Sequence, residues 1–505
     1  MKKLFTVLAF IGLSIAGNAA YLLIPMDESQ TNHLRAYGIA WNVLNNETEV
    51  QWLLNYRGGS YIFKYDKDDE LACMEKGVSF ETMPDVQARK LLKDLDNGKN
   101  NTAVVEMERA PKVAVYAPSR PEQWDDAVIN TLTYAGIPFD VLYDKEVLQG
   151  DLSKYDWLHL HHEDFTGQHN RFFSGFSNAQ WYKDEVAADE ASAKENGFSK
   201  VSDMKLAVAL RMKTFVSNGG FLFAMCTATE TFDLALAANG TDISADMYDG
   251  DPMDPQAASK LNFENCLAFQ NFSLSRFPTD FSHSNIDTYM TRMQRGVNES
   301  NDFFSLNYFD VNKNKEEAML VQNHASTIKG FWGATVGFDL SYLKSNVDIL
   351  AANTNANARE ARYIHGNLGK GMWTYYGGHD PEAYQHRVGD AAPDMNKFPN
   401  SPGYRLILNN VLFQSTLSHE ETHQQFSAYP SPAVSNFTVN YTLEEGATGT
   451  LNIYDGTGKL VYSQQLADGS TTATIDVTGL TSGTYLWNVE SNGSSLFTER
   501  FSVSH

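Results

Sequence analysis

The sequence predicts an α/β protein, with a mostly parallel β-sheet covered by helices on both faces and a C-terminal all-β sandwich. Short apolar runs such as KVAVYAP and FLFAMC alternate with amphipathic segments such as EQWDDAVINTLTYAG. That alternation is typical of a parallel sheet whose strands are joined by helices. Beyond Tyr429 the composition shifts to Thr, Ser, Gly and Val in alternating runs without helical spacing. This second pattern predicts several short strands.

The N-terminal segment, residues 21–110, begins with a strand, a helix and a second strand. The apolar run YLLIP predicts the first strand, and QTNHLRAYGIAWNVLNN has the three- and four-residue apolar spacing of a helix. EVQWLLNY then predicts a strand that ends at the turn RGGS. A further helix is expected at DVQARKLLKDL.

The central segment, residues 111–417, repeats strand and helix more clearly. Strands are predicted at KVAVYAP, PFDVLYD, YDWLHLHH, FLFAMC and GKGMWTYY, and the last helix at GYRLILNNVLFQSTL. Residues 163–199 form a polar insertion, and residues 240–366 form a long, aromatic, Asn-rich one. Residues 418–428 are expected to be a linker to the C-terminal sandwich.

The opening residues 1–20, MKKLFTVLAFIGLSIAGNAA, predict a secretory signal peptide with cleavage near Ala19 or Ala20. Its apolar core is too short to span a membrane, and no later window offers about 20 uninterrupted apolar residues. A net charge of −23 without a basic patch argues against nucleic acid and anionic lipid as partners. The three cysteines leave at least one thiol free unless one pairs between molecules.

The candidate catalytic residues lie where predicted strands end, because ligands of parallel sheets bind at the carboxyl ends of the strands. Cys226 ends FLFAMC directly before a helix, where the helix dipole favours a thiolate. A buried hydrophobic cysteine is the alternative interpretation. His379 follows two glycines, and Asp380 or Glu382 could orient it as a base. Both acids also match the preferences of a helix start.

The candidate substrate-binding residues come from the end of the neighbouring strand and from the cysteine turn. They are His161, His162, Glu163, Asp164 and Thr227. His159 and His161 share one face of a strand at a spacing that can ligate zinc, which leaves a metal site as a weaker alternative. No cofactor is predicted.

The last segment, residues 429–505, resembles the C-terminal sorting domain of type IX (Por) secretion cargo. The features that carry the resemblance are YPSPA, LNIYDGTGKLVYS and DVTGLTSGTYLWNV, in that order. The resemblance implies an immunoglobulin-like sandwich that the type IX secretion machinery recognises. It also implies export through the periplasm and outer membrane to a secreted or cell-surface location.

The central segment resembles the class I glutamine amidotransferase-like fold, including its ThuA-like branch. The resemblance rests on KVAVYAP, YDWLHLHHED, GGFLFAMC and GKGMWTYYGGHDPE. It implies a flavodoxin-like sheet with Cys226 as nucleophile, His379 as base and Glu382 as the orienting acid. Two departures are Ala228 in place of the elbow glycine, and a carboxylate three rather than two residues after the histidine.

The opening of the mature chain looks like a group of exported proteins often labelled asparagine synthetase B. The residues do not support the ATP-dependent synthetase reaction, since SNGG is not the SGGxDS pyrophosphate loop and processing leaves no N-terminal cysteine. The leading hypothesis is therefore hydrolysis of an amide, or a related acyl bond, in a small molecule or peptide. The alternatives are a metal-dependent hydrolase and a non-catalytic sugar- or peptide-binding protein. The binding protein would use an aromatic set: Tyr308, Phe309, Phe331, Trp332, Trp373, Tyr375 and Tyr376.

Overall fold

A computed structural model describes residues 20–504 except 121, 280–281, 417–425, 442, 444–447, 456–458, 467–471 and 492–493. The expected signal peptide and most of the expected linker lie outside the described residues. Among the described residues, no helix has the length and apolar character needed to cross a membrane.

The N-terminal segment forms a five-stranded antiparallel sheet in the order β4-β1-β3-β2-β5. Strands β1 and β2 run in the same direction with β3 between them, so α1 connects them as a crossover helix. Helix α1 begins after Asn32, whose side chain accepts a hydrogen bond from the backbone N–H of Arg35. The elements are β1 (Tyr21–Ile24), α1 (His33–Asn45), β2 (Val50–Leu54), β3 (Ser60–Lys64), α2 (Lys67–Lys76), β4 (Glu81–Met83), α3 (Asp85–Leu95) and β5 (Ala103–Met107).

The central segment contributes the largest set of helices and strands. They are β6 (Val113–Tyr116), α4 (Ala127–Ala135), β7 (Asp140–Leu142), α5 (Asp144–Leu148), β8 (Trp157–Leu160), α6 (Phe173–Phe176), α7 (Gln180–Glu195), α8 (Val201–Ser217), β9 (Phe221–Met225), α9 (Thr227–Ala238), α10 (Asp246–Asp249), α11 (Ala257–Lys260), β10 (Leu274–Thr279), β11 (Ser282–Ser284), α12 (Tyr289–Gln294), β12 (Phe303–Leu306), α13 (Lys315–Leu320), β13 (Thr327–Lys329), β14 (Phe338–Asp339), β15 (Asp348–Asn353), β16 (Glu360–Leu368), β17 (Gly371–Tyr376) and α14 (Pro402–Phe413).

The large sheet of this segment is mixed rather than mostly parallel. Strands β7-β6-β8-β9-β17 are parallel, and β16, β15, β12 and β13 continue the sheet in antiparallel pairs. The α/β class is confirmed. The antiparallel half comes from residues 240–366, which were expected to be an insertion, and the β16–β17 hairpin joins it to the parallel half.

The C-terminal residues form two antiparallel sheets, in the orders β18-β19-β22 and β21-β20-β23-β24. Phe437, Ile453 and Trp487 are buried in the cluster between them. The strands are β18 (Phe426–Tyr429), β19 (Asn436–Tyr441), β20 (Gly449–Tyr454), β21 (Leu460–Leu466), β22 (Thr472–Asp476), β23 (Gly483–Ser491) and β24 (Ser494–Val503).

Helix α1 packs the N-terminal segment onto the parallel sheet, so one hydrophobic cluster contains residues of both. Gly38 permits close contact with α4, because an added Cβ would collide with the carbonyl oxygen of Ala135. Arg405 of α14 joins the segments as well, donating hydrogen bonds to the carbonyl oxygens of Met26 at 3.0 Å and Gly58 at 2.8 Å. Another guanidinium contact of Arg405 reaches Nδ1 of His324 at 2.8 Å.

Acid is expected to weaken this junction through His324. Because Arg405 donates to its Nδ1, the ring must stay neutral, and burial together with the Arg405 charge lowers the pKa of His324 to about 3. The unfolded chain, with a histidine pKa near 6.5, binds the proton first. The free energy of unfolding should therefore fall as pH drops from about 6.5 towards 3. Urea unfolding at several pH values would check this, and His324→Gln should flatten the dependence. An unchanged dependence in that variant would contradict the assignment.

Candidate active site

Cys226 lies on a strained turn between β9 and α9. Its backbone has φ 52° and ψ −138°, a conformation that costs a residue with a side chain about 1–3 kcal/mol and that concentrates at functional sites. The turn is held by two backbone hydrogen bonds, from Cys226 N–H to the Gly378 carbonyl at 3.1 Å and from Ala228 N–H to the His161 carbonyl at 3.0 Å. These bonds tie the ends of three neighbouring parallel strands together.

The thiol of Cys226 is buried but lies close to a backbone N–H and a hydroxyl group. The Ala334 N–H lies 3.4 Å from Sγ, and the Thr227 hydroxyl lies 3.9 Å from it. Burial raises the pKa of the Cys226 thiol, and the N–H groups of Ala334 and Thr227 counteract only part of that effect. Desolvation therefore outweighs the hydrogen bonds to the sulfur, and the pKa shifts in the direction opposite to the one expected from the helix dipole.

The loop 331–335 brings Ala334 to the thiol and packs against the strand end that carries His379. The N–H of His379 donates to the Trp332 carbonyl at 2.9 Å, and that of Gly378 to the Thr335 carbonyl at 2.7 Å. A Cβ on Gly333 would lie 2.6 Å from the His379 nitrogen, so only glycine allows this approach. The insertion thus supplies one wall of the site.

Histidines and one carboxylate form a buried hydrogen-bonded chain beside the thiol. His379 Nδ1 lies 3.1 Å from His161 Nε2, and His161 Nδ1 lies 3.2 Å from a carboxylate oxygen of Asp126. His159 Nε2 lies 3.2 Å from the other oxygen. Burial raises the pKa of Asp126, but His159 and His161 outweigh it and hold that pKa well below its usual range. Asp126 is therefore ionised and orients His161.

His379, at the end of this hydrogen-bonded series, is neutral. Burial, followed by the His161 and His386 charges, lowers its pKa well below the usual range. Its Nε2 is buried and has no hydrogen-bond partner among the residues that the structure describes. A buried imidazole nitrogen without a partner is costly and is frequently explained by a function.

Glu382 is not brought to His379. Its carboxylate is hydrogen-bonded to Ser401, which opposes the burial that raises the Glu382 pKa. Its N–H donates to Asp380 Oδ1 at 2.8 Å in an Asx turn, and turns follow over residues 381–394 instead of the helix that the sequence pattern had suggested. The sequence analysis expected the carboxylate of Asp380 or Glu382 beside His379. In the structure His161 lies beside His379, and the carboxylate of Asp126 lies beside His161. Asp126 was missed because it has the sequence signature of an ordinary N-cap.

The predicted substrate-binding residues separate into two places. A ring nitrogen of His162 and the Thr227 side chain lie near the thiol, and His162 Nε2 is 3.7 Å from the Glu122 carboxylate. Glu163 and Asp164 instead line a small polar cavity of about 30 Å³ that also contains Arg171. Those two carboxylates therefore line a different cavity from the one that Cys226 borders.

A larger cavity of about 510 Å³ opens onto the thiol. Trp124 and Phe172 stack with ring centroids 4.5 Å apart on one wall. Of the aromatic set expected to bind a ligand, Trp332 lines this cavity, whereas Trp373 and Tyr376 are buried in the core. The lining residues are Trp124, His162, Phe172, Phe176, Cys226, Tyr289, Trp332, Gly333, Ala334, His379, Gln385, His386, Arg387 and Val388.

Three groups of side chains within the described residues have the spacing to hold a metal ion, with their ligand atoms within 4.8 Å of one another. One combines His161, His162, Cys226 and His379. The second combines Asp126, His159 and His161, and includes the pair with zinc spacing in the sequence. The third combines Asp125, His379 and His386.

The family of secretion system C-terminal sorting domains matches residues 427–504. The tail implies interaction with the type IX secretion machinery, and the protein is exported, secreted or at the cell surface. No curated protein sequence matches the chain.

Among solved structures, cytoplasmic protein STM3548 from Salmonella typhimurium is 10% identical, with 60% of this chain and 97% of that chain covered and a TM-score of 0.29. A catalytic mutant of Gan42B, a GH42 β-galactosidase from G. stearothermophilus, is 13% identical, with 73% of this chain and 40% of that chain covered and a TM-score of 0.24. TM-scores this low carry no argument about fold or function.

Proposed function

We propose that this exported protein is a cysteine hydrolase with an amidotransferase-like, flavodoxin-like core, which cleaves an amide or a related acyl bond. The observation that carries the proposal is the position of Cys226. Its thiol lies on a strained strand-to-helix turn, next to His379, at the edge of a 510 Å³ cavity. Nucleophilic elbows hold a reactive side chain in this way, exposed to substrate and close to a base.

The reaction would follow the order usual for acyl transfer. Cys226 Sγ bonds to the substrate carbonyl carbon while the thiol proton passes to a ring nitrogen of His379. The C–N or C–O bond then breaks, and the leaving amine or alcohol takes that proton. Water hydrolyses the resulting thioester and restores the thiol. The backbone N–H groups of Ala334 and Thr227, which already face the sulfur, are the donors available to the tetrahedral oxyanion.

The cavity favours substrates with a flat apolar acyl group. Trp124, Phe172 and Phe176 offer ring faces and edges, which bind aromatic or sugar rings with little loss of side-chain freedom. Gln385 and Arg387 add polar groups at the rim. Aryl-acyl esters and anilides are therefore the first substrates to test.

The test is to trap the acyl-enzyme. The full mature chain would be incubated with p-nitrophenyl esters and anilides of aromatic acids, and intact and peptide masses recorded. One acyl group should appear on Cys226. Cys266→Ser is the matched control, because Cys266 is equally buried but lies against the Asp233 carbonyl in the core. An ester that is hydrolysed with no adduct, at a rate unaffected by Cys226→Ala, would exclude the mechanism.

Asp126→Asn should lower kcat by about 100-fold or more, because general acid–base catalysis contributes that much and here depends on an oriented His161–His379 pair. Asparagine still accepts the N-cap hydrogen bonds from the N–H groups of Val128 and Ile129, so helix α4 should keep its N-cap, while loss of the charge beside His159 and His161 should lower the free energy of unfolding. KM should stay near its original value and the pH profile should shift, which a purely structural role would not cause. Glu382→Gln, the matched comparison, should retain most activity. A large loss of kcat in Glu382→Gln with little loss in Asp126→Asn would instead identify Glu382 as the orienting acid.

A further inference from the structure

The four side chains around the thiol form a set of soft and borderline ligands. They are Cys226, His161, His162 and His379; all are buried, and one ligand atom of each lies within 4.8 Å of the others. Thiolate and imidazole are the ligands that zinc prefers. The group differs from the His159 and His161 pair, whose ring nitrogens already face Asp126 and the Phe223 carbonyl.

In the part of the chain that the structure describes, two imidazole nitrogens of this group have no hydrogen-bond partner. His162 Nε2 and His379 Nε2 are buried and unpaired among the described residues, although the Glu122 carboxylate lies 3.7 Å from His162 Nε2. The two residues are only 3% and 5% exposed, which leaves water little access to these rings. Buried polar atoms of this kind are normally satisfied by a partner, and an ion is one that the histidines and thiol could share.

The distances match a tetrahedral ion after a small contraction. Zinc–nitrogen and zinc–sulfur bonds near 2.0–2.3 Å place tetrahedral ligand atoms about 3.3–3.7 Å apart. The His161 and His379 rings are already in contact, with His161 Nε2 3.1 Å from His379 Nδ1. The separations between the four ligand atoms, none above 4.8 Å, need to close by about 1 Å.

One of the proposed ligands also has a carboxylate at its second ring nitrogen. Histidine ligands of zinc usually donate their second ring nitrogen to a carboxylate or carbonyl, which fixes the ring and raises its basicity. His161 has this arrangement, with Nδ1 3.2 Å from the Asp126 carboxylate. The large cavity gives an ion a route to the group.

We propose that Zn²⁺ binds to Cys226, His161, His162 and His379 and masks the nucleophile. On binding, the S–H bond of Cys226 breaks, its proton passes to solvent and a zinc–sulfur bond forms. Zinc binding stands on the ligand geometry alone, whereas the masking of catalysis rests on the proposed function. The zinc-loaded protein is then the resting form, and removal of zinc produces the active thiol.

Zinc affinity should be measured on the full mature chain after treatment with a chelator, by calorimetry and by competition with a chromogenic zinc indicator. The wild type should bind one Zn²⁺, and Co²⁺ in its place should give a thiolate-to-metal absorption band. Cys226→Ser and His162→Gln should each weaken binding by more than about 100-fold, since even second-shell changes cost 10–100-fold. His386→Gln is the matched control, because His386 lines the same cavity but lies outside the four ligands. It should bind zinc as the wild type does, and thermal unfolding would verify that all variants fold.

The possible results test the zinc site and the proposed hydrolysis separately. No binding by the wild type, or full binding by Cys226→Ser, would overturn the zinc site, while the acyl-enzyme test would still stand. Loss of binding in His386→Gln alone would move the ion to Asp125, His379 and His386. Zinc binding without any acyl adduct on the metal-free protein would defeat the hydrolase but keep the site. Hydrolysis that requires zinc would overturn masking.

Discussion

Cys226→Ala is expected to reduce hydrolysis by about 10⁴-fold or more, because loss of a nucleophile removes the covalent route and leaves only binding and oxyanion stabilisation. The same variant should lose all iodoacetamide labelling that the folded wild type shows. Initial rates with an aryl ester, together with peptide masses after alkylation, would measure both effects. Cys73→Ser should change neither, since Cys73 lies in the N-terminal segment.

A second substitution separates strain from chemistry at the same position. Cys226→Gly should be as inactive as Cys226→Ala but more stable than it by about 1 kcal/mol, because only glycine adopts φ 52° without cost. Urea unfolding of the two variants would measure the difference. Equal stabilities would mean that the turn stores no strain, and an active Cys226→Gly would rule out the thiol as nucleophile.

The candidate site was predicted from one rule, that functional residues of a parallel sheet lie at the carboxyl ends of its strands. The ends of β8, β9 and β17 bring His161, His162, Cys226 and His379 together, as expected for adjacent parallel strands whose carboxyl ends share one edge. Strand and helix order in the parallel half could be predicted for the same reason, since apolar runs and amphipathic segments alternate there. Exported location followed from the resemblance of the tail.

The features of the site that the sequence did not predict are the directions of individual side chains and the roles of backbone groups. Glu382 is close to His379 in sequence, but after the Asx turn at Asp380 its carboxylate is hydrogen-bonded to Ser401. Asp126 is distant in sequence, and a single N-cap aspartate carries no mark of a second role. Ala334 contacts the thiol through its backbone N–H. Every residue except proline has this group, so the sequence does not single out Ala334. The antiparallel half was missed because its strands lie in a long, aromatic, Asn-rich stretch that was interpreted as an insertion.

A buried ionic cluster holds the loop that reaches Cys226. Arg292 donates to Glu360 at 2.6 Å and also contacts Asp302, and Arg362 lies 3.4 Å from Asp302. A second nitrogen of Arg362 donates to the Phe331 carbonyl at 2.7 Å. Burial raises the pKa of Glu360, but the Arg292 and Arg362 charges outweigh it and hold that pKa below its usual range. The buried charges of Glu360 and Asp302 are thus paired with those of the two arginines.

Arg362→Met is expected to destabilise the protein by about 3–5 kcal/mol, the usual cost of leaving a buried charge without its partner. It also removes the donor to Phe331, so Ala334 should lose its fixed position and kcat should fall in the protein that remains folded. Arg295→Met is the matched control: Arg295 contacts Glu360 at 3.3 Å from a partly exposed position, and losing such a pair should cost less than about 1 kcal/mol. Urea unfolding and initial rates, measured well below the unfolding midpoint, would test both. A destabilised Arg362→Met with unchanged kcat would mean that the cluster stabilises the fold without positioning the loop for catalysis.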